Sequence, residues 1–124
     1  MERLTIEDLL LIGEAVLDVP GERLARMTRL DVAHAALAAA GRRTRLADQA
    51  AALCERLVRD RPLPCGNKPV ALIAMLELIS RNQATWISPN GGAKELATTI
   101  EQLASGALSH DAFTAWVRRH VRPR

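Results

Sequence analysis

The residues best suited to chemistry stand together in Arg61-Pro62-Leu63-Pro64-Cys65-Gly66-Asn67-Lys68-Pro69. Two prolines followed by Gly-Asn cannot continue a helix, so this stretch is a sharp break. With Asn67 as a cap and Pro69 in the first turn, the apolar run Val70 to Ile79 predicts a helix that starts here. The first turn of a helix leaves backbone N–H groups unpaired, with the positive end of the dipole behind them. Gly66 lets a ligand approach the backbone and Lys68 adds a charge. Gly66, Asn67 and Lys68, with Arg61 as a second cation, are therefore candidates to bind phosphate or another anion. Most capped helix starts bind nothing, so the turn alone favours the plainer reading.

Other reactive side chains give weaker signals. Cys65 sits where a helix N-terminus and a nearby guanidinium favour a thiolate, but no histidine lies near it in sequence. Cys54 reads as a small core residue. Two thiols without a paired motif make neither a zinc site nor, in a reducing compartment, a structural disulfide. His34 lies among alanines, His110 follows the cap candidate Ser109, and His120 falls in a last helical turn. None has a carboxylate at a spacing that suggests an orienting partner, so none is assigned a catalytic role. The basic cluster Arg118 to Arg124 is a candidate to contact nucleic acid or ribosome, and Arg42-Arg43-Thr44-Arg45 is a short basic connector. Charge runs are more often solvated faces, and no aromatics are interleaved with these.

The elements that must position these groups are helical. Ala (21) and Leu (18) supply nearly a third of the 124 residues, and the aromatics are only Trp86, Phe113 and Trp116. That balance favours helix over strand and predicts one compact all-α domain of about six helices over residues 1–124. Thr5 and Asp8 form a cap signature for a helix ending near Asp18. A second helix runs from Thr28 or Leu30 to Gly41, a natural C′ residue. From Leu46, two adjacent apolar stripes (Ala50, Leu53, Leu57 and Ala47, Ala51, Cys54, Val58) mark a central helix. Trp86-Ile87-Ser88 reads as a short extended piece. Lys94 to Ser105 and Ser109 to Val121 read as the closing helices, with Gly106 ending the first and Ser109 capping the second. The longest apolar run has ten residues and includes Glu77, too short for a membrane span, and the opening residues do not resemble a signal peptide. The expectation is a cytoplasmic protein with no membrane partner. Fifteen Arg and two Lys against 14 Asp and Glu give a net charge of +3, a mild hint of an anionic partner.

Segment Leu53 to Leu72 resembles the signature region of the Fic/Doc family, and of its Doc (death-on-curing toxin) branch in particular. The family pattern runs His-x-Phe-x-Asp/Glu-Gly-Asn, followed in Doc-like members by Lys-Arg and an apolar helix. Leu4 to Leu10 resembles the first Doc helix, and Leu78 to Asn82 the end of its post-motif helix. Glu95 to Arg119 resembles its closing helix pair. The resemblance implies a helical fold with a small target-docking flap near Arg42-Arg43-Thr44-Arg45, whose cations would meet an acidic partner, and transfer of AMP or of the terminal phosphate of ATP to a protein hydroxyl. It also implies a toxin acting on a translation component and neutralised by a small antitoxin. In that scheme the histidine is the general base, the acidic residue holds Mg²⁺, the Phe anchors the loop, and the Gly-Asn turn, helix N-terminus and Arg bind phosphate.

Here Arg61 takes the histidine position, Leu63 the Phe, Cys65 the acidic residue and Pro69 the arginine; Gly66, Asn67 and Lys68 match. A guanidinium has no acceptor lone pair and stays charged, so Arg61 cannot remove a proton. Loss of a general base alone costs about 10²–10⁴ in rate. A thiol suits Mg²⁺ poorly, and Pro69 removes a cation and a backbone donor. The expectation is a catalytically degenerate relative, with no catalytic residue and no metal site. It would act by binding an antitoxin-like helix, a translation component, or an anionic ligand such as ATP or another nucleotide without Mg²⁺. The rivals are an active Doc-type transferase and a basic RNA-binding module.

Overall fold

Thr5 opens the first helix through a reciprocal cap. The Asp8 N–H donates to Thr5 Oγ1 at 3.2 Å and the Thr5 N–H donates to Asp8 Oδ2 at 2.8 Å, as a Thr-x-x-acid start favours. In the computed structural model, which describes residues 1–124, this helix is α1, Ile6–Leu17. Asp18 ends it in the left-handed conformation. The stretch left between the first two expected helices holds a further helix, α2, Gly21–Met27, beginning directly after Pro20. Seven residues with one buried side chain, Leu24, carry too little periodicity to announce themselves. Leu24 packs so closely on Gly13 that a Cβ there would stand 2.6 Å from Leu24 Cδ2.

The remaining helices are α3, Leu30–Gly41; α4, Leu46–Asp60; α5, Asn67–Arg81; α6, Gly92–Ser105; and α7, His110–His120. The all-α expectation holds, with seven helices instead of six. Both stripes foreseen on α4 are apolar and buried apart from the partly exposed Ala47, and α4 packs against α3, α5, α6 and α7. Its alanines let those neighbours approach closely, and the core they share includes Val70, Met75 and Ile79 of α5 and Phe113 and Val117 of α7. Gly41 is the last residue of α3, without the positive φ foreseen for a C′ glycine. Its missing side chain admits Arg3 instead, whose Nη2 donates to Gly41 O at 3.1 Å. Gly106 does end α6 in the left-handed conformation, and Ser109 caps α7 by accepting the Ala112 N–H at 3.1 Å.

The extended piece is β1, Ala84–Trp86, one residue pair earlier than its expected start at Trp86. It pairs antiparallel with β2, Val121–Pro123, in the register Ala84↔Pro123, Thr85↔Arg122 and Trp86↔Val121. The closing helix therefore stops at His120, and its basic tail is a strand. Trp86 meets His120 and Trp116 at ring-centroid distances of 5.3 and 5.4 Å, which fixes the ribbon against α7. No helix is long and apolar enough to cross a membrane.

Candidate functional site at the start of α5

The break between α4 and α5 is held from three sides. Leu57 O accepts the Arg61 N–H, and Arg61 takes the left-handed conformation at φ 52°. Arg29, just ahead of α3, clamps the turn. Its Nη2 donates to Asp60 O and Arg61 O at 2.5 and 2.6 Å, and its backbone N–H donates to Pro62 O at 2.9 Å. Leu63 is buried in the core, so it serves the anchoring part expected of an apolar residue there.

Asn67 does not cap α5 with its side chain. Gly66 holds the cap position at φ 69°, and Asn67 is the first helical residue. The Asn67 carboxamide turns back on the loop, accepting the Leu63 N–H at 2.9 Å and donating to Leu63 O at 3.1 Å. The side chain is buried and committed, so only its backbone N–H can face a ligand. The physical reason is the loop itself. A buried leucine in a turn leaves both backbone groups without a ladder, and a carboxamide satisfies both at once. Gly66 is required by its backbone angle and by space, since a Cβ would lie 2.2 Å from Leu17 Cδ2.

These constraints open a cleft of about 690 Å³ at the N-terminus of α5. Arg61, Cys65, Gly66, Asn67, Lys68 and Pro69 all line it, so the structure brings every sequence candidate to one wall. The N–H groups of Gly66, Asn67 and Lys68 donate to no protein acceptor, and Pro69 has none to give. The opposite wall comes from α6, through Glu101, Ala104 and Ser105, with Arg59 of α4 beside it. Sequence reading missed these four: no spacing connects α6 to the turn, and Arg59, on α4 two residues before Arg61, matches no motif position.

Charge in the cleft is unevenly committed. Lys68 Nζ donates to both oxygens of Glu101 at 2.8 and 3.0 Å, so the expected phosphate cation carries an internal carboxylate. Arg59 donates to Leu103 O and Leu108 O, and its Nη1 lies 2.6 Å from Glu55 Oε2. The Arg61 side chain is exposed and has no protein partner, which makes it the one uncommitted cation of the lining. Cys65 is exposed at the rim, whereas Cys54 is fully buried, where desolvation pushes its thiol up to about 12.

No imidazole lines this cleft: His34 is exposed on α3, and His120 stacks on Trp86 with its Nδ1 2.6 Å from Trp116 O. His110 corrects the sequence reading, since a carboxylate does face it: Nδ1 stands 2.5 Å from Glu55 Oε1. The partner comes from α4, far away in sequence. No group of three His, Cys, Asp or Glu side chains is placed to hold a metal ion. Two of the four C-terminal arginines tie the chain end to other elements. Arg118 grips Asp48 with Nε and Nη2 at 2.7 and 2.9 Å, and Arg124 donates to Ser80 O. Arg42 and Arg43 instead line a second cleft beside His110. No model of a known protein family matches the chain, and no curated protein matches it.

Proposed function

We propose that this chain is a catalytically degenerate Doc-like protein that works by binding, its cleft at the start of α5 taking the phosphate of a nucleotide or another anionic group. One observation carries the reading: three consecutive free N–H groups and the uncommitted Arg61 face a cleft whose lining has no imidazole and a single carboxylate, Glu101, already paired with Lys68. Such a site attracts negative charge through the dipole and the guanidinium. The imidazole that the family pattern uses as general base is replaced there by the Arg61 guanidinium, which has no lone pair to accept a proton. The resemblance of Leu53 to Leu72 to the Doc signature supports a role tied to a toxin–antitoxin pair or to translation, with a small antitoxin-like helix or a translation component as the protein partner.

The test pairs binding with transfer. The native chain and an Arg61→His, Cys65→Asp, Pro69→Arg triple variant are incubated with labelled ATP, Mg²⁺ and cell lysate. Fluorescent ATP binding is measured in parallel on the native chain and on Arg61→Ala. The expected result is saturable nucleotide binding that falls on Arg61→Ala, with no label transferred by the native chain. Transfer above a heat-killed control would establish the active-transferase reading instead.

A further inference from the structure

A second cleft, of about 450 Å³, shares no lining residue with the first. It lies where the C-terminal end of α3 meets α4 and the start of α7. Ala39 and Ala52 form its small apolar floor, and Arg42, Arg43, Arg56 and His110 line it around the buried Glu55. We propose that this cleft is a binding site for a phosphomonoester group, held by Arg42 and Arg43 and hydrogen-bonded to His110 Nε2, with Glu55 as the positioning residue for the imidazole.

The geometry orients His110 for this. An ionised carboxylate only accepts hydrogen bonds, so in the 2.5 Å contact with Glu55 Oε1 the Nδ1–H donates, and Nε2 is left without a protein partner. Glu55 is 7% exposed and braced on its other oxygen by Arg59, so the ring is tethered to a fixed group. A purely structural tie between α4 and α7 has no use for unpaired cations in the cleft that the ring lines. Yet the side chains of Arg42 and Arg43 make no hydrogen bond or ion pair within the protein, whereas Arg56 is held by Asp60 at 2.8 Å. Two free guanidiniums and an imidazole nitrogen without a protein partner, all lining one cleft, call for an anionic ligand with several oxygens.

A phosphomonoester meets this need, carrying between one and two negative charges near neutral pH because its second ionisation lies near 6. Its oxygens suit the guanidinium forks, and that ionisation lets it either accept a hydrogen bond from Nε2 or donate one to it. Sulfate and carboxylates carry no proton at that pH and can only accept. The cleft volume leaves room for an organic substituent, within the range of small-molecule sites.

The experiment is an NMR titration of the ¹⁵N-labelled chain with inorganic phosphate, O-phosphoserine and sulfate at constant ionic strength, read at the His110 imidazole. Phosphate and phosphoserine are expected to give saturable shifts, with sulfate weaker by about fivefold or more. Arg42→Gln with Arg43→Gln, both surface changes, should weaken phosphoserine by about tenfold or more without moving Tm. Arg61→Ala should leave it unchanged, which separates this site from the first cleft. In Glu55→Gln the imidazole nitrogen shifts should leave the Nδ1–H pattern and phosphoserine affinity should fall. Absence of a saturable shift with phosphoserine, equal binding of sulfate, or full binding by the double arginine variant would overturn the proposal.

Discussion

Arg59 and Glu55, one turn apart on α4, join the two clefts: Arg59 lines the first, and its Nη1 lies 2.6 Å from Oε2 of Glu55, which lines the second. The approach is off the hydrogen-bonding direction, so Oε2 gains charge neutralisation without an aligned bond. Glu55 is buried, and a buried carboxylate left alone is strongly disfavoured. Arg59→Met should therefore destabilise the fold by about 2–4 kcal/mol, because it also strips donors from Leu103 O and Leu108 O. Urea unfolding checks the value. Adding Glu55→Gln to Arg59→Met should recover part of the loss, and a purely additive double variant would contradict the pairing.

Gly66 joins the turn to α1 through Leu17. Gly66→Ala forces a left-handed backbone on a residue with a side chain and drives Cβ to 2.2 Å from Leu17 Cδ2. The backbone part alone is about 1–2 kcal/mol, and the collision adds to it. In thermal unfolding, Leu17→Ala in the same chain should relieve the collision and leave the backbone part.

Asn67 matters for the loop more than for any ligand. Asn67→Ala removes both bonds to Leu63 and leaves a buried N–H and C=O unpaired, at a cost of about 2–3 kcal/mol. Hydrogen exchange at Leu63 should quicken more than exchange at the middle of α5. Equal acceleration along the helix would place the effect elsewhere.

Glu101→Gln tests whether the carboxylate on Lys68 holds anions off. The pair is exposed, so stability should change by less than about 1 kcal/mol. Nucleotide affinity of the first cleft should rise by about threefold to tenfold as Lys68 is released. Unchanged affinity in a binding titration would remove Lys68 from the site.

Acid sensitivity should trace to Asp8. Hydrogen bonds from Arg81 (2.9 and 3.1 Å) and from the Thr5 backbone hold its carboxyl at about 2. A group with a depressed folded-state pKa stabilises above its unfolded value, near 3.9, and that contribution fades as pH falls toward the folded value. The loss should be on the order of 1–2 kcal/mol between about pH 5 and pH 2. Asp48, lowered chiefly by its hydrogen bonds from Arg118, adds in the same direction. In urea unfolding across that range, Asp8→Asn should be less stable at pH 7 and should show a flatter profile.

The residue string by itself determined what local chemistry determines. Thr5 with Asp8, Gly106 and Ser109 bound their helices because caps and left-handed turns depend on residues within one turn of each other. The two stripes of α4 and the Pro-rich break at 61–69 were legible for the same reason, as was the gathering of Arg61, Gly66 and Lys68 at one helix start. Tertiary structure decided how those residues are engaged. Glu101 reaches Lys68 across 33 residues, Glu55 reaches His110 across 55, and Arg29 locks a turn from 32 residues upstream. Strand β2 formed from a basic tail only because β1 lay beside it. Contacts of that range leave no periodicity in a sequence, since they arise from packing of whole helices and not from the dihedral preferences of neighbours.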